Sequence, residues 1–213
     1  RDVLGSRGLG DVYKRQTMNN TNPFIYSDDN KRYHTLNYYN KSSFNSKVFK
    51  AVIDAGFTCP NKDGTKGTGG CIYCMGGSGY FTEKSDGEIY DSVKRQLAAE
   101  KERIYKKHPD SLITAYFQAN TNTYAPVATL KEAYTAALDF GVHGISIGTR
   151  ADCLPDDVIA LLCDINSKTH LTVELGLQTI HDKSAQIINR CYTYDEFLEG
   201  YRKLQESGIR TCL

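Results

Sequence analysis

Three cysteines carry the most specific chemistry in this sequence. Cys59, Cys71 and Cys74 stand as C-x11-C-x2-C. Thiolate is a soft ligand suited to zinc and to iron–sulfur centres. The glycines between them, Gly64, Gly67, Gly69 and Gly70, let such a loop wrap a metal without backbone strain. A structural zinc site needs four protein ligands. No histidine lies between His34 and His108, so a zinc-binding interaction module would have to recruit a distant ligand such as Cys153. An iron–sulfur cluster held by three cysteines instead leaves one iron open to a further ligand. The other four cysteines, Cys153, Cys163, Cys191 and Cys212, read as small buried hydrophobes. Seven is an odd set, which argues against a complete disulfide framework and for a cytoplasmic protein.

Other marked residues carry weaker signals. Gly76-Gly77-Ser78-Gly79 lacks the lysine of a phosphate-binding loop and reads as a flexible rim to the cysteine loop. The fifteen tyrosines could stack on RNA bases, but Tyr38, Tyr39, Tyr192 and Tyr194 read equally well as packing or surface residues. His143 and His170 fall at the starts of expected strands, the stabilising end of a barrel rather than the catalytic one.

The elements that must position these residues alternate. A strand over 48–54 runs directly into the cysteine loop. Ser85-Asp86-Gly87-Glu88 has capping-box spacing, and Ile89, Val93 and Leu97 follow at helical intervals, so a helix is expected to about Lys107. Leu112 to Phe117 reads as a buried strand. Thr129-Leu130-Lys131-Glu132 is a second capping box, for a helix that stops at Gly141. A strand at 144–148, a helix from Pro155, a strand at 171–175 and a short helix near 183–189 come next. Thr193-Tyr194-Asp195-Glu196 is a third capping box, its helix ends at Gly208, and Ile209 to Leu213 begins a fifth strand. Such alternation implies a parallel sheet with helical crossovers.

Composition bounds the rest. No apolar run approaches the roughly 20 residues that span a bilayer, and a net charge of +1 offers no field for holding nucleic acid non-specifically. Residues 1–17 have no apolar period, precede Met18 and resemble translated adapter sequence; they are read as a non-native, disordered leader. Without them 22 basic residues face 23 acidic ones, a net charge of −1. Residues 18–47 then form an N-terminal extension and 48–213 the main domain, which stops inside a strand and reads as truncated.

The cysteine loop after the first strand, with Tyr73 just before the last cysteine, resembles that of the radical S-adenosylmethionine (SAM) enzymes, and its widened first interval is shared with the Elongator catalytic-subunit-like branch. Arg32-Tyr33-His34-Thr35-Leu36-Asn37, Cys59-Pro60-Asn61 with Asp63-Gly64, and Gly69-Gly70-Cys71-Ile72-Tyr73-Cys74 look like bacterial radical SAM proteins of the YhcC type. So do 117–124 (Phe-Gln-Ala-Asn-Thr-Asn-Thr-Tyr), Gly148-Thr149-Arg150 and 174–178 (Glu-Leu-Gly-Leu-Gln). The likeness covers Tyr33 to Leu213, with Ala151 where a proline is usual and the C-terminal third absent.

The resemblance implies an α/β fold: a partial (β/α) barrel, truncated after about the fifth strand. It implies a [4Fe–4S] cluster on Cys59, Cys71 and Cys74 and S-adenosyl-L-methionine as second cofactor, cleaved reductively to methionine and a 5′-deoxyadenosyl radical that abstracts hydrogen from a substrate the sequence does not name. Tyr73, Gln118, Thr149, Arg150, Glu174 and Gln178 become candidate cofactor contacts: Gln118 for the methionyl ammonium, Arg150 for its carboxylate, Glu174 and Gln178 for the ribose. An electron donor such as flavodoxin or ferredoxin is implied, and tRNA modification is the alternative within this chemistry.

Overall fold

The computed structural model describes Phe24, Ser27, residues 31–74 and residues 85–213, and the chain divides into two compact units, 1–47 and 48–213. The leader at 1–17 and the glycine run at 76–79 lie outside the described residues. The first unit carries helix α1 (Leu36–Phe44), whose first turn is capped by Thr35, its hydroxyl accepting from the Tyr38 amide at 3.0 Å.

The second unit alternates strand and helix throughout: β1 (Val48–Ile53), α2 (Ile89–Tyr105), β2 (Leu112–Phe117), α3 (Val127–Phe140), β3 (Gly144–Thr149), α4 (Asp156–Asn166), β4 (His170–Leu175), α5 (Asp182–Ile187), α6 (Tyr194–Glu206) and β5 (Thr211–Cys212). The strands form one parallel sheet in the order β1-β2-β3-β4-β5, an open, partial (β/α) barrel. Strand alternation sends Ala51, Ile53, Ile113, Ala115, Phe117, Ile145, Ile147, Leu171 and Val173 into one core with Leu97 of α2, Leu130 and Tyr134 of α3, Leu162 of α4 and Leu204 of α6. Lys50, Tyr116, Ser146 and Glu174 occupy the alternate positions, so the other face of the sheet is polar.

Only one of the three expected capping boxes forms. Thr193 Oγ1 accepts from the Glu196 amide at 3.2 Å while Glu196 Oε2 accepts from the Thr193 amide at 2.7 Å. At α2 the cap residue is Glu88, without a side-chain cap bond, and Gly87 turns the chain left-handed (φ +66°) between it and Ser85. At α3 the helix starts two residues before Thr129, because Pro126 accepts from the amides of Thr129 and Leu130 at 2.9 and 3.1 Å. Pro155 likewise caps α4 from outside rather than standing in its first turn. Gly141 closes α3 in the left-handed conformation, as its sequence position predicts.

Candidate functional site

A cavity of about 580 Å³ opens at the C-terminal ends of the strands. Cys59 follows β1; Cys71, Tyr73 and Cys74 close the loop that continues from it; Gln118 follows β2; Thr149 and Arg150 end β3; Glu174 and Gln178 flank the end of β4. All nine line this one cavity. Parallel α/β folds place their sites at this end, where the loops converge and the last strand residues turn inward.

The cysteine loop is held from below by asparagines. Asn61, fully buried, donates its amide to the Asn189 carbonyl and to Cys71 Sγ, the latter at 3.5 Å. Asn189 donates to the carbonyls of Gly70 and Thr68 at 2.7 and 3.3 Å. Gly70 needs its left-handed φ of +77° to make this turn beside Cys71. Cys59 is buried, Cys71 half-buried and Cys74 exposed, and all three are free thiols. Among the described residues, no three His, Cys, Asp or Glu side chains are close enough to form a metal centre. Three thiols on one loop in one cavity, with an amide donor already on Cys71 Sγ, are nevertheless the donor chemistry of a cysteine-ligated cluster.

Arg150 is buried and already engaged. Its Nε and Nη2 donate to the two carboxylate oxygens of Asp152, both at 2.9 Å, and its Nη1 donates to the Arg190 carbonyl at 2.9 Å. Burial works against the charge of each partner, but their mutual hydrogen bonds keep the guanidinium firmly protonated and the Asp152 carboxyl below the usual carboxylate range, with Lys66 adding a second bond to Asp152 at 2.7 Å. The two-pronged contact reserved in the sequence for a ligand carboxylate is thus made inside the protein. Ala151 packs against Gly200 of α6; a Cβ on Gly200 would fall 2.0 Å from the Ala151 carbonyl oxygen.

Glu174 lies on the cavity floor. It pairs with Lys50 and accepts from Ser146 Oγ at 2.5 Å. Burial opposes its charge, and those two donors outweigh it, holding the carboxyl below its ordinary range. Thr149 shares a hydrogen bond with Thr123 at 2.5 Å, and Thr123 donates onward to the Cys153 carbonyl, stitching the ends of β2 and β3 together. Gln178 stands in the left-handed region (φ +56°), as do Ala119 and Asn120, which line the same cavity. Non-glycine residues held this way concentrate at functional sites.

The remaining cysteines part company. Cys153 is buried as expected, faces a neighbouring cavity and has its thiol pushed up to about 12 by burial. Cys163 and Cys191 are only half-buried, and Cys212 is exposed and lines the site cavity, because β5 pairs with β4 along just two residues. Sequence reasoning missed Arg190 and gave Tyr192 no site role. Arg190 is 1% exposed, donates to the carbonyls of Leu177, Thr179 and Tyr192 at 2.6–3.1 Å, and lies 4.3 Å from the Tyr192 ring centre. The available signal was polar density: Asn189-Arg190 interrupts the apolar Ile187-Ile188 just before the Thr193 cap.

The model of the radical SAM superfamily matches residues 63–213. The chain belongs to that superfamily. It is 48% identical over 197 residues to the uncharacterized protein YtqA of Bacillus subtilis, covering 92% of this chain and 60% of that protein. It is 35% identical over 171 residues to protein YhcC of Escherichia coli, covering 79% of this chain and 53% of that one. An uncharacterized protein of Methanocaldococcus jannaschii is 33% identical over 181 residues, covering 82% and 53%. The chain therefore spans between 53% and 60% of the length of these relatives. Among its described residues, no helix is long and apolar enough to cross a membrane.

Proposed function

We propose that this radical SAM chain is the cofactor-binding part of an enzyme that cleaves S-adenosylmethionine reductively and uses the product to take hydrogen from a substrate. The observation that carries the reading is convergence: three loop cysteines and all six further candidate residues line one cavity at the C-terminal end of the sheet. When bound, a [4Fe–4S] cluster and S-adenosylmethionine supply one-electron cleavage of a sulfonium carbon–sulfur bond. Cys59, Cys71 and Cys74 hold the cluster. The Gln118 side-chain carbonyl accepts from the methionyl ammonium, Glu174 is held ionised to accept from the ribose hydroxyls, Gln178 and Thr149 border the same space, and Tyr73 shields the cluster loop. A flavodoxin or ferredoxin supplies the electron.

Anaerobic reconstitution tests this. The wild-type chain should take up four irons with acid-labile sulfide and release 5′-deoxyadenosine with reductant; Cys71→Ala should lose the brown chromophore while Cys163→Ala keeps it. One zinc per chain and no sulfide would replace this reading with a zinc-binding module.

A further inference from the structure

With Arg150 committed to Asp152, the cavity's available positive charge lies elsewhere. Lys62 sits three residues after Cys59, in the loop that carries all three cysteines, and lines the cavity. Its Nζ donates to Asn120 Oδ1 at 2.6 Å, and Asn120 is itself fixed by donating to the Phe57 carbonyl at 2.7 Å. Among the described residues Lys62 makes no ion pair; its one polar partner is a neutral amide. The other charges of the lining are taken: Arg150 by Asp152, Glu174 by Lys50, and Arg190 by three backbone carbonyls. The Lys62 stem crosses the loop over Gly70, where a Cβ would come within 3.1 Å of Cε and crowd it by a few tenths of an ångström. An ammonium with only a neutral partner can form a charge-assisted hydrogen bond to an incoming anion without first breaking an ion pair.

We infer that Lys62 is the contact for the carboxylate of S-adenosylmethionine, and that Arg150 is a positioning residue that ties β3 to the segment before α6 through the Arg190 carbonyl. The assignment rests on the radical SAM reading above. It also places carboxylate recognition on the same loop as the cysteines, so that ligand and cluster stabilise one piece of chain together.

The experiment is calorimetric titration of the reconstituted chain with S-adenosylmethionine and with its decarboxylated analogue, alongside iron and sulfide determination. Lys62→Gln keeps a donor for Asn120 and removes the charge; Lys62→Arg keeps the charge. In Lys62→Gln the preference for the carboxylate-bearing ligand should fall about tenfold below wild type, the equivalent of one charged hydrogen bond, with iron content and affinity for the decarboxylated analogue unchanged. Lys62→Arg should retain most of the preference, and Arg150→Lys should weaken both ligands alike. An undiminished preference in Lys62→Gln overturns the inference, as does loss of iron in both Lys62 variants, which would make Lys62 a loop-folding residue. A wild-type chain that takes up no cluster, or binds no S-adenosylmethionine, overturns the enzyme reading and this assignment with it.

Discussion

Asn61 is fully inaccessible, yet its Oδ1 has no partner among the described residues while its amide serves both the Asn189 carbonyl and Cys71 Sγ. Its backbone carbonyl also accepts from the Gly70 amide at 2.8 Å. One side chain thus joins the start of the cysteine loop to its end and to the segment before α6. Asn61→Ala strands a buried carbonyl and should destabilise the chain by about 1–3 kcal/mol, measured as a lower urea midpoint at unchanged slope; an unchanged midpoint would mean the loop is held by Asn189 alone. In the sequence Cys59-Pro60-Asn61 is visible as part of a resemblance, without a role. The role needs Asn189, 128 residues away, and no local pattern announces that pairing.

At the scale of elements, the three Ser/Thr-x-x-Glu motifs are a controlled comparison. They are alike in sequence, but only Thr193 meets the free amide it was placed to meet. Thr193→Ala should therefore destabilise by about 1 kcal/mol, while Ser85→Ala and Thr129→Ala should leave the thermal midpoint unchanged or, for Thr129 inside α3, raise it slightly. A loss at all three positions equal to that at Thr193 would contradict the caps described here. The difference lies in the neighbours: a left-handed Gly87 displaces the first motif, and the fixed φ of Pro126 starts α3 ahead of the second. Capping boxes are local, but which local signal prevails depends on where the preceding loop delivers the chain.

Across the whole molecule the sheet separates stability from chemistry. At the end opposite the cavity, His143 and His170 stack with ring centres 6.0 Å apart, and Arg210 Nη1 lies 3.3 Å from His170 Nδ1. Burial first, then the neighbouring Arg210 and His143, push the His170 pKa down to about 4. The folded protein keeps this ring neutral where the unfolded chain, at about 6.5, takes a proton. The stability His170 contributes is complete above pH 6.5 and is lost as pH falls toward 4. His170→Gln should flatten the decline in thermal midpoint between pH 7 and pH 4.5; a decline as steep as that of wild type would place the acid sensitivity in other groups.

The order of elements, the parallel sheet and the end of the sheet at which the motifs meet were legible in the sequence, because each follows from short-range regularities: period-two strands, apolar helix faces and glycine stops. The strand–helix alternation also sets Cys59, Gln118, Arg150 and Glu174 by strand ends, which suffices to place them at one end of a parallel sheet. Tertiary structure alone decided what those side chains touch. Arg150 and Asp152 are two residues apart in any conformation, but an exposed pair of that kind contributes little; here the pair is buried, at 8% exposure for Arg150, and further tied by Lys66 and the Arg190 carbonyl, so the fork is engaged within the chain. Arg190 and Asn189 reach the site because α5 and the turn after it fold back over the cysteine loop, where Ile72 donates its amide to the Ile188 carbonyl at 3.1 Å. Buried polar groups must find partners wherever the fold brings them, and those partners lie 40 residues away for Arg150 and 128 away for Asn61.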